Sequence, residues 1–243
     1  MIRSSFVLLT MSLIPLGLFS VFGHGADDPS QLSKSEVTSI GSRPVALETW
    51  ADPKLKVADG LSLWLDGSRQ NPARAANGKR ALQSGGPVDV WYDASGHGLD
   101  VVQTFQASQP RYLATGERSV VRFDGKNTCL GLTGAKKRLD EFTIFLVAAP
   151  RANPGDYHAF FAINETGKND YTTGFTIDMT GEASNRFDRL NVEGQGFQGA
   201  INLMKSSHPF GEFHILEARS KAGARSVQLS IDGQSEGTRD RAP

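Results

Sequence analysis

Apolar and polar residues alternate with period two in many short runs along the chain, beginning at Leu61. The first run, "LSLWLDGS", ends at a glycine, and this pattern predicts a strand followed by a turn. Further runs, rich in Val, Ile, Phe or Thr and closed by turn residues, are "VDVWYD", "SVVRFD", "CLGLT", "FTIFLVAAP", "HAFFAIN", "GFTIDM", "RLNVEG", "FHILEAR" and "VQLSID". Short strands separated by turn residues predict an antiparallel all-β domain.

Helical periodicity is nearly absent from the chain. The exception is "PARAANGKRAL", residues 72–82, which predicts a helix inside a long loop. Asp-Gly pairs follow the apolar residues Phe123 and Ile231. Because glycine adopts the positive backbone angle that other residues resist, these pairs predict tight turns rather than chemistry.

The N-terminus has a different pattern. Arg3 precedes an apolar segment at residues 6–22, which gives way to the small and then acidic "GHGADDPS". This order is typical of a secretory signal peptide and predicts an exported protein, cleaved between Gly23 and Ala26. The alternative is an uncleaved membrane anchor, since seventeen residues is near the lower limit for spanning a bilayer. We therefore predict a signal peptide over residues 1–26, a linker over 27–58 and one domain over 59–243.

Charge and cysteine content narrow the choice of partners. The chain has 26 basic and 26 acidic residues, so its net charge gives no reason to expect nucleic acid or an anionic membrane as its partner. Its single cysteine, Cys129, excludes an internal disulfide framework and a cysteine-rich zinc site. We expect no membrane association after signal cleavage.

Several of these segments resemble, in order, the laminin G-like modules of the concanavalin A-like lectin and glucanase superfamily found in large exported bacterial proteins. The resemblance covers Leu61 to about Arg239, and its most specific parts are "WYDASGHG" from Trp91 and "VRFDG" from Val121. It implies an antiparallel jelly-roll sandwich that binds glycans or protein ligands, often with calcium. Such jelly-rolls have further strands after the "IDG" hairpin. Either the final strands are replaced here, or, as we expect, the chain is a fragment of a longer protein with its final strands and neighbouring domains beyond Pro243.

The stretch "VWYDASGHGLDVV" places Asp93, Ser95 and His97 close together. They are too close in sequence to act as orienting acid, nucleophile and base, and no G-x-S-x-G turn is present. Asp93 and Ser95 offer oxygen ligands suited to Ca²⁺, but Thr104 stands where an EF-hand loop requires a glutamate. Asp93 is therefore a candidate metal ligand. The alternative is a turn in which Asp93 and Ser95 accept backbone N–H bonds.

Carbohydrate binding commonly uses exposed aromatic rings flanked by polar side chains. Two loops offer this combination, "NPGDYHAFF" and "GKNDYTTGF". The candidate ligand-binding residues are Asp156, Tyr157, Asn169, Asp170 and Tyr171. The alternative is that both tyrosines begin strands and cover the core. The Gly- and Gln-rich segment at residues 186–203 is either a further binding loop or the rim of a hairpin.

A glycoside hydrolase of this superfamily would carry paired carboxylates, commonly in a Glu-x-Asp-x-x-Glu strand, and no such segment occurs. Four histidines lack the paired spacing of a zinc site, namely His24, His158, His208 and His214. We predict no catalytic residues. The expected function is a non-catalytic exported module that binds carbohydrate or a cell-surface protein. A hydrolase or lyase of the same superfamily and a structural spacer without a ligand are the alternatives.

Overall fold

A computed structural model describes residues 5–9, 45–57, 59–116, 118–132, 141–165 and 167–242, with residues 5–9 described by their backbone alone. The fold is all-β, with 39% of residues in strands and 9% in helices. This content confirms the predicted fold class at that level. Apart from the strand at Ser5–Leu9, the predicted signal peptide lies outside the described residues, as does the predicted linker up to residue 44.

Thirteen strands and two short α-helices form the described part of the chain. The strands are β1 (Ser5–Leu9), β2 (Leu61–Trp64), β3 (Val90–Trp91), β4 (Val101–Val102), β5 (Arg111–Thr115), β6 (Arg118–Arg122), β7 (Phe142–Ala148), β8 (His158–Ile163), β9 (Phe175–Met179), β10 (Asn191–Gly194), β11 (His214–Ser220), β12 (Gly223–Ile231) and β13 (Gln234–Arg241). The helices are α1 (Gln70–Ala76) and α2 (Asp170–Thr173).

The strands form four sheets. The largest has the order β13-β12-β11-β7-β1-β2 and is antiparallel from β13 to β7, whereas β1 runs parallel to both of its neighbours. A three-stranded antiparallel sheet has the order β10-β9-β8. The pairs β3-β4 and β5-β6 complete the set.

One apolar core joins the two larger sheets. Alternate residues of β7, from Phe142 to Ala148, point into it and are buried. Phe175 of β9 meets Phe142 edge to face with ring centroids 4.7 Å apart, a favourable arrangement for aromatic rings. A second, smaller cluster forms where Trp50 packs against Tyr92 and Ala94. Trp50 lies within the predicted linker over residues 27–58, and its packing against Tyr92 attaches that part of the chain to the domain.

The hairpin at "IDG" is present as predicted. It joins β12 to β13, and both turn residues have positive φ, 51° at Asp232 and 79° at Gly233. Two consecutive positive φ angles match the right-handed twist of the paired strands. In place of the predicted helix over residues 72–82, the structure has the shorter α1, which begins at Gln70 and ends at Ala76. It ends there because the chain turns at Gly78, where φ is 68°.

Two strand predictions need correction. The predicted strand "CLGLT" is, over its described residues, an extended segment with a single bridge from Gly131 to Val102. The strands β1, β4, β5 and β13 were not predicted. Charged and small residues interrupt the alternation of β5 and β13, β4 has only two residues, and β1 lies in the apolar segment that predicts a signal peptide. In the described part of the chain, no helix is long and apolar enough to cross a membrane.

Candidate functional site

The stretch from Val90 to Val102 consists of the paired strands β3 and β4 and the loop that joins them. Asp93 is buried within it, and its carboxylate joins the loop to β2. One oxygen, Oδ1, accepts hydrogen bonds from the backbone N–H groups of Trp64 and Ser95, both at 2.9 Å. The other, Oδ2, accepts the Ser95 hydroxyl at 2.7 Å and the Leu99 N–H at 3.0 Å. The alternative predicted from the sequence, a turn in which Asp93 accepts backbone N–H bonds, is therefore present.

The hydrogen bonds to Asp93 do not test the prediction that it binds a metal ion, but they limit the oxygen lone pairs that an ion could use. Four protein donors already use the carboxylate lone pairs that a calcium ion would need. The nearby Asp100 accepts the Asp93 N–H at 2.8 Å, and burial together with the Asp93 charge raises its pKa. Among the described residues, no group of three or more His, Cys, Asp or Glu side chains is arranged to hold a metal ion.

Asp156 and Tyr157 lie immediately before β8, on a backbone with unusual angles. Their φ values are 62° and 54°, which residues other than glycine rarely adopt. Asn153 accepts the Gly155 N–H at 3.0 Å and holds this turn in place. The Tyr157 side chain is 44% exposed, and its ring lies so close to Gly181 that a Cβ there would meet it at 2.7 Å. The ring is thus supported on one side and open on the other.

Asn169, Asp170 and Tyr171 form the start of α2, which leads into β9. The Tyr171 ring is 52% exposed, and its hydroxyl accepts a hydrogen bond from Asn169 Nδ2 at 2.6 Å. Asp170 is buried beneath it and accepts the Tyr171 N–H at 3.0 Å. The helix ends at Gly174, where a Cβ would lie 1.7 Å from the Ile163 carbonyl oxygen, so only glycine allows this close approach. Tyr171 is therefore an exposed ring on a fixed support.

The structure separates the five candidate residues into two groups. Tyr157 precedes the first residue of β8, whereas α2 precedes β9, which runs antiparallel to β8. The two groups consequently lie at opposite ends of the three-stranded sheet, roughly 15–20 Å apart by the rise per residue of a strand. One monosaccharide cannot contact both tyrosines. No local sequence pattern indicates this separation, because it depends on the pairing of β8 with β9.

A polar face on the three-stranded sheet was not predicted. Asp178 of β9 pairs directly with Asn191 of β10, and Thr176 pairs with Glu193. Alternate strand residues share a face, so these four side chains project to one side, opposite the core residue Ile177. Asn191 Nδ2 donates to both Asp178 carboxylate oxygens, at 3.2 and 3.3 Å. We call Thr176, Asp178, Asn191 and Glu193 the polar face.

The two carboxyl groups of the polar face are both perturbed. Burial and the Glu193 charge raise the pKa of Asp178 to about 8, despite the opposing hydrogen bond from Asn191. Burial and the charge of Asp170 also raise the pKa of Glu193, which Arg239 and Asn191 partly offset. Asp178 is thus mainly protonated at neutral pH. A protonated carboxyl beside a second carboxyl is the arrangement that general acid–base chemistry uses.

The carboxyl pair escaped the sequence search because its members lie on different strands. Asp178 is in "FTIDM" and Glu193 is in "NVEG", and each is a single acid within an otherwise ordinary strand. Their diagonal positions across β9 and β10 place the Cα atoms about 7–8 Å apart in a typical sheet. Two acids at the polar positions of predicted neighbouring strands were the signal available in the sequence.

A surface cleft also lies beside the β3-β4 loop. Its lining includes Lys79, Asp89 and Tyr92. Burial raises the pKa of Asp89, but hydrogen bonds from Lys79 and Arg74 outweigh it and hold that pKa at about 2. Tyr92, which supplies the aromatic ring of this cleft, is itself buried and offers no face for stacking.

Two histidines, His208 in a loop and His214 at the start of β11, come together in the fold. The rings of His208 and His214 have centroids 4.4 Å apart. His214 Nδ1 bonds to Asp232 at 2.7 Å, and His208 Nε2 bonds to the Ser206 hydroxyl at 2.7 Å. The His214–Asp232 bond connects the start of β11 to the β12-β13 turn, and the contact between the two rings connects it to the preceding loop, which is a structural role.

Comparisons with known proteins add no relative to this description. No protein-family model, curated protein or solved structure matches the chain.

Proposed function

We propose that this chain is an exported, non-catalytic jelly-roll module of the laminin G-like type, which binds carbohydrate at the α2 end of the three-stranded sheet. The observation that carries this proposal is the exposed Tyr171 ring, fixed by the Asn169 hydrogen bond and by the tight junction at Gly174. A sugar ring stacks on such a face because its C–H groups are apolar, while its hydroxyls need polar partners at the edge. Asn169 supplies an amide at that edge.

Fixed geometry is what separates Tyr171 from an ordinary surface tyrosine. The hydroxyls of Thr172 and Thr173 both donate to the Asn169 carbonyl, at 3.1 and 3.2 Å. These bonds hold the single helical turn in one conformation, so little side-chain entropy is lost when a ligand binds. Binding at Tyr157 is a weaker candidate, because Gly181 already covers part of that ring.

Replacing Tyr171 with alanine is expected to weaken binding of the retained polysaccharide by roughly 5- to 150-fold, since one stacked ring contributes about 1–3 kcal/mol in the related case of stacking on nucleic-acid bases. Tyr157→Ala is the matched control, because the same side chain is lost at the far end of the sheet. Affinity electrophoresis in gels containing the polysaccharide measures both variants. Equal retention of wild type and Tyr171→Ala would show that the site lies elsewhere.

The broader experiment is a polysaccharide pull-down, carried out with calcium and with EDTA. The proposal expects retention on at least one polysaccharide class. No retention on any polysaccharide would refute carbohydrate binding and favour a cell-surface protein ligand or a spacer domain. Retention that needs calcium would support the ion as a cofactor.

The alternative function, a glycoside hydrolase or lyase, has one observation in its favour. Asp178 and Glu193 form a carboxyl pair with raised pKa values on one face of adjacent strands. Release of reducing ends from the retained polysaccharide, abolished in both Asp178→Asn and Glu193→Gln, would establish this activity. Because Asp178 is almost completely buried, we expect no turnover from the chain as it stands.

A further inference from the structure

The segment from Gln195 to Asn202, "QGFQGAIN", runs along the free edge of β10, and we call it the strap. Its first residue donates its N–H to the Gly174 carbonyl at 2.9 Å, at the end of α2. Near its other end, Ile201 donates its N–H to Asn191 Oδ1 at 3.0 Å. The strap is therefore attached at both ends to the elements that carry the polar face.

Arg239 of β13 holds the middle of the strap. Its guanidinium donates to the strap carbonyls of Gln198 and Gly199, at 3.3 and 2.7 Å. The same group donates to Asn191 Oδ1 at 3.3 Å and to the Val192 carbonyl at 2.8 Å, so it joins strap and β10 directly. The Phe197 ring packs over it, 4.7 Å from the guanidinium carbon.

These contacts bury groups that an edge strand would expose to water. Asn191 is fully buried although β10 is the last strand of its sheet, and Asp178 behind it is 2% exposed. The outer side of the strap, in contrast, is exposed from Gln198 to Asn202. Gly199 has φ 66° and open space where a side chain would stand, so the chain can turn there without a clash.

We propose that the strap is a movable cover of the polar face and that Arg239 is the latch that keeps it closed. When the latch is closed, one guanidinium satisfies four carbonyl or amide oxygens of strap and β10. When the strap opens, Asn191 and Asp178 become accessible beside Glu193. Neutral amide and carboxyl groups in this position suit a hydroxyl-rich ligand, an identity that rests on the proposed function.

The test compares the full chain with Arg239→Gln and Arg239→Lys by hydrogen exchange. Arg219→Gln, which changes an exposed arginine of β11, is the matched control. We expect amide exchange over residues 198–202, the part of the strap that Arg239 and Asn191 hold, to accelerate about tenfold or more in Arg239→Gln, less in Arg239→Lys, and not at all in the control. Strands β7 and β11 keep their protection, which separates strap opening from unfolding.

A second readout follows the carboxyl of Asp178 by carbon-13 NMR. Water entering beneath an open strap is expected to lower its pKa from about 8 toward the ordinary value. Unchanged strap exchange in both Arg239 variants would overturn the proposal, as would acceleration shared equally by β7 and β11. Neither measurement uses a carbohydrate, so failure of the strap and failure of carbohydrate binding are distinguishable.

Discussion

Replacing Asp178 with asparagine is expected to raise the free energy of unfolding at pH 8 and to flatten its dependence on pH between 4 and 8. In the folded protein the Asp178 pKa is about 8, far above the usual value of 3.8. The folded state therefore binds this proton more tightly than the unfolded state. The resulting stability is fully present below pH 4 and is lost as the pH rises toward 8.

The size of the effect follows from the pKa difference. Each unit is about 1.4 kcal/mol, so we expect Asp178→Asn to exceed wild type by at least about 2 kcal/mol at pH 8. Near pH 4 the two should agree within about 1 kcal/mol, since a protonated aspartate and an asparagine are similar in size and both are neutral. Urea unfolding at a series of pH values measures both quantities.

Asp156→Asn is the matched control for this experiment, because it makes the same substitution at an exposed position. Its free energy of unfolding should match that of wild type at pH 8, where the neighbouring His158 is neutral. A loss of stability in Asp178→Asn at pH 8 would contradict the account, since it would mean that Asp178 is ionised and stabilised by partners in the fold.

Replacing Asp93 with alanine is expected to lower the free energy of unfolding by about 3 kcal/mol or more. The substitution leaves the N–H groups of Trp64 and Leu99 without their acceptor in a buried loop, and each unsatisfied buried donor costs about 1–3 kcal/mol. The Ser95 hydroxyl and N–H also lose Asp93 as their hydrogen-bond acceptor. Asp66→Ala is the control, because Asp66 makes a similar turn but is only half-buried, and its loss should cost about 1 kcal/mol.

The Asp93→Ala variant also tests whether Asp93 binds calcium. Because four protein donors use the Asp93 carboxylate, we expect the thermal midpoint of wild type to be the same in EDTA and in millimolar Ca²⁺. A midpoint that falls in EDTA for wild type, and is insensitive to calcium in Asp93→Ala, would establish Asp93 as a calcium ligand.

Strand positions could be predicted where the alternation was uninterrupted. The runs that became β7 and β9 have apolar residues at every second position, and the structure places strands there. The strand β13 could not be predicted in this way, because "QSEGTRDR" is almost entirely polar. It forms since the Asp232-Gly233 turn folds it back on β12, and pairing with a buried strand outweighs its weak propensity.

The candidate site was predictable only in part. Local sequence identified Tyr157 and Tyr171 as exposed aromatic residues, and the structure places both at the surface. Their separation depends on the antiparallel pairing of β8 and β9, which no local pattern contains. The contact of Arg239 with the strap joins positions forty or more residues apart, so no local pattern could predict it either.

The central claim is that the α2 end of the three-stranded sheet binds carbohydrate, and amide chemical shifts of the nitrogen-15-labelled full chain test it most directly. Oligosaccharide fragments of each polysaccharide class are titrated, and the residues whose signals move are mapped. The account predicts shifts concentrated at residues 169–174 and at Glu193, absent in Tyr171→Ala. Shifts confined to residues 153–157 or to the cleft beside Asp89 would contradict it. The absence of shifts with every fragment would also contradict it.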